Sequence, residues 1–220
     1  MQRLRLTFAK TAAMRHSGHL DLHKTWERTL RRARLPLAYT GGFNPHPRLQ
    51  LAAALPLGFT SECEALDVWL EAPQDLSAAR AALERALPPG LALMEIAEAP
   101  ERAPALQTLV RAAEYCAVIA NPLPPAEMDA RIASLLAAPE IRRVRREKEY
   151  DLRPLIETLA RVDSDELGHT LLMRLAAREG ATGRPEEVVG ALGVLPAEAR
   201  FHRVRLLFAE QPGGEIRTAR

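Results

Sequence analysis

Residues Arg3-Leu4-Arg5-Leu6-Thr7-Phe8 alternate polar and apolar side chains, and Arg203-Val204-Arg205-Leu206 repeats the pattern near the other end of the chain. A period of two places Leu4, Leu6 and Phe8 on one face and Arg3, Arg5 and Thr7 on the other, which a half-buried strand satisfies and a helix does not. A strand needs hydrogen-bonded neighbours, so the chain is committed to a sheet with one apolar face. If helices cover that face, the arginines line the open face of each sheet. Ligand binding and packing are both open as the role of that second face.

The segments between follow the same logic. Leu22, Trp26, Leu30 and Ala33 recur at helical spacing from a start near Gly18 to Leu20, with Lys24, Arg28, Arg31 and Arg32 on the other side. Pro36 ends this helix. Leu37 to Thr40 reads as the start of a second strand, broken by Gly41-Gly42. The apolar stretch Leu49 to Ala54 resumes beyond it. Glu64 to Glu71 alternates again, Asp75 or Ser77 caps a helix reaching about Leu87, and Leu91 to Ile96 is a short strand. Strand, helix, strand, strand, helix, strand is the ferredoxin-like order. Residues 99 to 106, APERAPAL, read as a linker. The second half repeats the plan. It has a strand at 115–120 and a helix after Pro124-Pro125, then a basic edge strand at 141–151. Residues 154–162 are open between strand and helix. A strand at 170–176, a helix from 184 and a last strand at 201–208 follow. The expectation is an α+β chain of two tandem ferredoxin-like (βαββαβ) domains, antiparallel sheets with helices on one face. Their bounds are 1–98 and 111–210, with a linker at 99–110 and a mobile tail at 211–220.

Composition narrows the class. Aromatics are 5% of the 220 residues, so the core rests on Leu, Ala and Val. No apolar run approaches the roughly 20 residues of a membrane span, and the first residues lack the apolar core of a signal peptide. Cys63 and Cys116 make neither a disulfide framework nor a metal-binding pair. These features point to the cytoplasm, with no membrane partner and no cofactor. Net charge is only +2, yet the basic residues are uneven. Arg142, Arg143, Arg145, Arg146 and Lys148 form one cluster; Lys24, Arg28, Arg31, Arg32 and Arg34 form another. Local patches of this kind suit a polyanion such as nucleic acid; an ordinary solvated surface is the competing reading.

Residues with chemical potential gather in two stretches. In Gly41-Gly42-Phe43-Asn44-Pro45-His46-Pro47, each proline biases the residue before it toward extended geometry and lacks the amide proton a central strand needs. The segment is a stiff loop that presents Asn44 and His46. Upstream, His16, His19, Asp21 and His23 fall within eight residues, a composition suited to metal binding or acid–base work. Asp21 also suits the first turn of a helix, where a carboxylate favours the dipole. His19, Asp21, Asn44 and His46 are the leading candidate site. As a binding site it uses Asn44 and His46 as hydrogen-bonding groups and Phe43 or Tyr39 for stacking. Arg31, Arg32, Arg48 and the Arg142–Lys148 cluster then supply phosphate contacts. As an enzyme it uses His19 and His46 as acid and base. No Gly-rich phosphate loop, no serine nucleophile elbow and no cysteine set for an iron–sulfur cluster is present.

Several motifs together resemble the bacterial radical-SAM-linked protein family, a domain of unknown function. They are His19-Leu20-Asp21, Leu30-Arg31-Arg32-Ala33, Leu35-Pro36-Leu37-Ala38-Tyr39, Gly42-Phe43-Asn44-Pro45-His46-Pro47 and Ala54-Leu55-Pro56-Leu57-Gly58. The stretches Lys148–Pro154 and Arg184–Val188 resemble its second half. The chain departs from that family at Gly18, where a serine is usual, and at His16-Ser17. The resemblance implies an RNA-related role or a radical-SAM enzyme as partner. The expected function is an RNA- or ribonucleoprotein-binding accessory module working with a separate radical-SAM enzyme. One alternative is an endoribonuclease-like enzyme using His19 and His46, its tandem architecture resembling that of CRISPR RNA-processing endonucleases. Another is a protein-interaction subunit without nucleic acid.

Overall fold

A computed structural model describes residues 1–120, 123–165 and 168–209. The expected tail at 211–220 lies outside these residues. The chain is a mixed α/β protein whose strands pair antiparallel wherever their register is defined. Its described residues divide into two compact units, one of Met1–Val110 with Phe208 and Ala209, the other within Arg111–Leu207. Among the described residues no helix is long and apolar enough to cross a membrane.

In the first unit the elements are β1 (Gln2–Lys10), α1 (His19–Arg32), β2 (Leu49–Leu51), β3 (Thr60–Leu70), α2 (Leu76–Ala86), β4 (Leu91–Ala99) and the short α3 (Leu106–Leu109). The hydrogen-bonded order is β4-β1-β3-β2. Leu4 lies opposite Val68 and Leu6 opposite Leu66, so the apolar face predicted for the first strand is shared by its neighbour. Leu22, Trp26 and Leu30 of α1 and Ala79 and Leu83 of α2 join these leucines in one core. Both helices therefore cover the same sheet face. Phe8 and Trp26 meet edge to face, ring centroids 4.8 Å apart, a geometry aromatic quadrupoles favour. Asp75 caps α2, its Oδ1 accepting from the Ala78 amide at 2.9 Å.

Between α1 and β2 the expected strand at 37–40 is reduced to two isolated bridges, Leu37 to Leu70 and Tyr39 to Pro47. Prolines at 36, 45 and 47 withhold the amide protons a continuous ladder requires.

The other face of β1 is not an open row of arginines. Arg3 is 1% exposed and its partner Asp67 fully buried. The Arg3 guanidinium donates to Asp67 Oδ2 from Nε at 2.9 Å and from Nη2 at 2.5 Å. Arg5 donates to Asp67 Oδ1 and Oδ2 at 2.8 and 2.9 Å. The remaining Arg3 protons go to the carbonyls of Ala103 at 2.7 Å and Pro104 at 3.0 Å. Thus the APERAPAL stretch lies over Arg3 and supplies backbone acceptors for it. The cation replaces lost water with fixed oxygens, which is what makes a buried charge tolerable.

The second unit contains β5 (Val110–Ile119), α4 (Pro125–Ala137), β6 (Arg142–Arg145), β7 (Lys148–Asp151), β8 (Ile156–Asp165), β9 (Gly168–Arg178), β10 (Ala181–Thr182), α5 (Pro185–Ala191) and β11 (Ala199–Phe208). Its order is β8-β9-β5-β11, with β10 also on β9. Proline opens both helices, where its missing amide proton costs nothing. The ambiguous stretch 154–162 resolves as strand from Ile156. The expected edge strand at 141–151 is instead two strands, β6 and β7, paired as a separate hairpin. Arg146 and Glu147 at its turn have φ of 47° and 64°, the left-handed pair that a tight turn matching strand twist requires. No glycine or asparagine marks the place, so local turn chemistry does not signal it. Arg203 is buried as well, its guanidinium donating to the Tyr115 hydroxyl at 3.2 Å.

Removing Asp67 leaves Arg3 charged in the interior without its anion. Asp67→Ala is expected to cost about 3–5 kcal/mol, read as a lower urea midpoint with the slope unchanged.

Candidate functional site

The Gly41 to Gly58 stretch is built from its roots outward. Ala38 N–H donates to Trp69 O at 2.8 Å, Arg48 N–H to Ala38 O at 2.7 Å, and Trp69 N–H to Arg48 O at 3.1 Å. One rung further, Thr40 N–H donates to His46 O at 2.9 Å and His46 N–H to Thr40 Oγ1 at 3.1 Å. The segment is therefore a narrow hairpin with a five-residue tip, turned at Gly42, whose φ of +108° suits glycine. At that tip the Phe43 side chain is fully exposed, at 108% of its reference area. Asn44 is exposed beside it, and Tyr39 and His46 are exposed along the stem. The Arg48 guanidinium stacks 4.5 Å from the Trp69 ring centroid, and Arg3 stacks on the same ring at 4.7 Å.

Helix α1 runs beside this hairpin. His19, His23, Glu27 and Arg31 are spaced four apart and share one stripe of the helix. Glu27 is the hub, with its side chain only 13% exposed. Its Oε1 lies 3.3 Å from His23 Nδ1 and 3.9 Å from His46 Nδ1, and its Oε2 lies 3.6 Å from Arg31 Nη1. At the far end of the stretch, Gly58 N–H donates to Arg15 O at 3.0 Å. The stretch thus follows the stripe from Glu27 back toward the start of the helix.

Within the first unit, Tyr39, Phe43, Asn44, His46 and Arg48 stand together on the hairpin, and Arg31 reaches them through Glu27. Arg32 points elsewhere, donating from Nη2 to the Ala86 carbonyl and so tying α1 to the end of α2. Asp21 accepts the Gly18 amide proton at 3.1 Å, the half of a capping box that survives when glycine replaces a serine. His19 sits partly buried in the first helical turn. The carboxylate that meets His46 also meets His23. The spacing from His23 to Glu27 is visible in the sequence as an i,i+4 pair, but nothing local encodes the arrival of His46.

The second basic cluster belongs to the β6–β7 hairpin. Arg143 is an anchor, donating to Glu187 Oε2 at 3.0 Å and to the Glu187 carbonyl at 3.1 Å. Arg142 pairs with Glu140 at 3.0 Å. Arg145, Arg146 and Lys148 are exposed around the turn. Beneath them, burial raises the Tyr150 phenol, as does the nearby Glu187 carboxylate. Among the described residues no group of three or more His, Cys, Asp or Glu side chains is arranged to hold a metal ion.

A profile of a family described as uncharacterized proteins conserved in bacteria (DUF2344) matches residues 3–185, and the chain belongs to that family. No curated protein matches. Among solved structures, the fold is similar to a chain of a Cbf5–Nop10–Gar1 complex. Identity is 11% and the TM-score 0.52, over 92% of this chain and 48% of that one. A chain of an archaeal box H/ACA sRNP Nop10–Cbf5 complex is matched at 12% identity and a TM-score of 0.48, over 94% of this chain and 49% of that one. The chain spans about half the length of the solved chains it matches.

Because Phe43 and Asn44 touch solvent rather than core, truncating them has no packing term. Phe43→Ala and Asn44→Ala are expected to change stability by less than about 0.5 kcal/mol in urea denaturation.

Proposed function

We propose that the chain is an RNA- or ribonucleoprotein-binding accessory module made of two ferredoxin-like units, working with a separate radical-SAM enzyme. The strand order β4-β1-β3-β2 in the first unit, matched by β8-β9-β5-β11 in the second, supports the ferredoxin-like reading. The RNA reading is carried by one observation: a fully exposed phenylalanine at the tip of a hairpin whose stem is hydrogen-bonded. Holding Phe43 in water costs hydrophobic free energy that a stacked base would recover. Little order is lost on binding, because both sides of the stem are hydrogen-bonded beforehand.

Arg31 and Arg48 beside the hairpin, and Arg145, Arg146 and Lys148 on β6–β7, supply phosphate contacts. These position the nucleic acid, while Asn44 contacts base edges and His46 faces the sugar–phosphate backbone. The radical-SAM partner rests on the motif resemblance, and copurification of the two proteins at high salt tests it.

The RNA reading is tested by filter binding of a single-stranded RNA across a salt series. Each phosphate contact adds about −0.7 to the slope of log K against log salt on a single strand. The triple variant R145A/R146A/K148A is expected to flatten that slope by roughly 2. Phe43→Ala is expected to weaken binding by about 1–3 kcal/mol with the slope unchanged. No RNA retention, or salt-insensitive retention, overturns the reading and leaves a protein-interaction subunit.

A further inference from the structure

We infer that His23 and His46 form a general acid–base pair that cleaves RNA by transesterification, with Glu27 as the residue that positions both rings. This rests on the RNA-binding reading of the same hairpin and goes beyond it. The two imidazoles come from different elements, α1 and the proline-bounded loop. Both turn Nδ1 toward one carboxylate oxygen, at 3.3 and 3.9 Å. A ring whose Nδ1–H faces a carboxylate presents Nε2 as its outward nitrogen. Both rings thus border the same oxygen, and the scissile phosphodiester is taken to lie between them. Glu27 itself is largely enclosed, whereas the His46 side chain is 60% exposed and His23 35%. The carboxylate is thus placed to orient, and the imidazoles to react.

The surroundings suit this substrate. Phe43 and Tyr39 offer faces on which a base can stack, fixing one nucleotide at the hairpin. Arg31 stands on the same stripe with its side chain 44% exposed, able to stabilise charge that builds on the phosphoryl oxygens.

The chemistry closes without any further reactant. The neutral Nε2 of one imidazole takes the proton of the ribose 2′-hydroxyl. The 2′-oxygen attacks the adjacent phosphorus and the bond from phosphorus to the 5′-oxygen breaks. The protonated second imidazole gives its proton to that departing oxygen. The products are a 2′,3′-cyclic phosphate and a free 5′-hydroxyl, and proton exchange with solvent resets the pair. Because the nucleophile is the 2′-hydroxyl, a strand with a single 2′-deoxyribose at the scissile position binds and is not cut there.

The experiment incubates the full chain with a short end-labelled single-stranded RNA in EDTA, under single-turnover conditions, and measures retention of the same RNA in parallel. The expected result is cleavage to fragments ending in 2′,3′-cyclic phosphate. His23→Ala and His46→Ala are each expected to slow it by about 100-fold or more. For Glu27→Gln the expected effect is a lower single-turnover rate at saturating protein, with half-saturation shifted less than about threefold. A purely structural role would instead change retention or thermal unfolding along with the rate. Bound RNA left intact overturns the catalytic inference while the binding reading stands. Cleavage that survives the double variant His23→Ala/His46→Ala overturns it too. RNA that is neither bound nor cut removes both.

Discussion

Asp67 is the group on which the first unit turns. It sits in the middle of β3 with no solvent contact, and both of its oxygens are taken by two arginines from the adjacent strand. A buried carboxylate with one cation would leave lone pairs unmet; with Arg3 and Arg5 the site closes. The same contacts fix the register of β1 on β3, since a slip by one residue would exchange the charged row for the leucine row. Arg3 then carries the constraint onward. Its outward protons hold the carbonyls of the proline-rich stretch that follows β4. A segment with few side-chain anchors is thereby held down by the cation it covers.

Trp69 couples this interior arrangement to the candidate site. Arg3 lies over its ring, and so does Arg48 from the stem of the exposed hairpin. Trp69 also exchanges backbone hydrogen bonds with Ala38 and Arg48. The stem that presents Phe43, Asn44 and His46 is rooted in the ring and backbone of a residue two places from Asp67. The stem is held by these roots, and the two prolines restrict the backbone beside the tip. Glu27 approaches the stem from the helix side, its Oε1 3.9 Å from His46 Nδ1.

Much of the fold was legible. The alternation in β1 and β3 and the 3.6-residue spacing in α1 are periodic signals, and periodicity reports which face is buried regardless of what buries it. Asp75 and the prolines opening α4 and α5 mark helix starts through local chemistry alone. The β6–β7 hairpin was missed because Arg146 and Glu147 adopt positive φ without a glycine or asparagine to announce it. The burial of Arg3 and Arg203 stayed open in the sequence for another reason. A polar residue on the second face of a strand looks the same whether water or another segment lies above it.

The candidate site divides along the same line. Sequence by itself determined that no continuous strand or helix runs through residues 41–47, because proline restricts its own φ and the residue before it and withholds its amide proton without help from distant contacts. It also placed Lys24, Arg28, Arg31 and Arg32 on the side of the first helix opposite its apolar stripe. Only the tertiary structure decided that His46 comes to the same Glu27 carboxylate as His23, that Arg32 and Arg143 are structural ties, and that Phe43 faces water. In the first unit those outcomes depend on the packing of α1 against β1 and β3 and on the root of the hairpin at Trp69, and for Arg143 on the approach of α5 to the β6–β7 hairpin; separations of that kind leave no trace in local pattern.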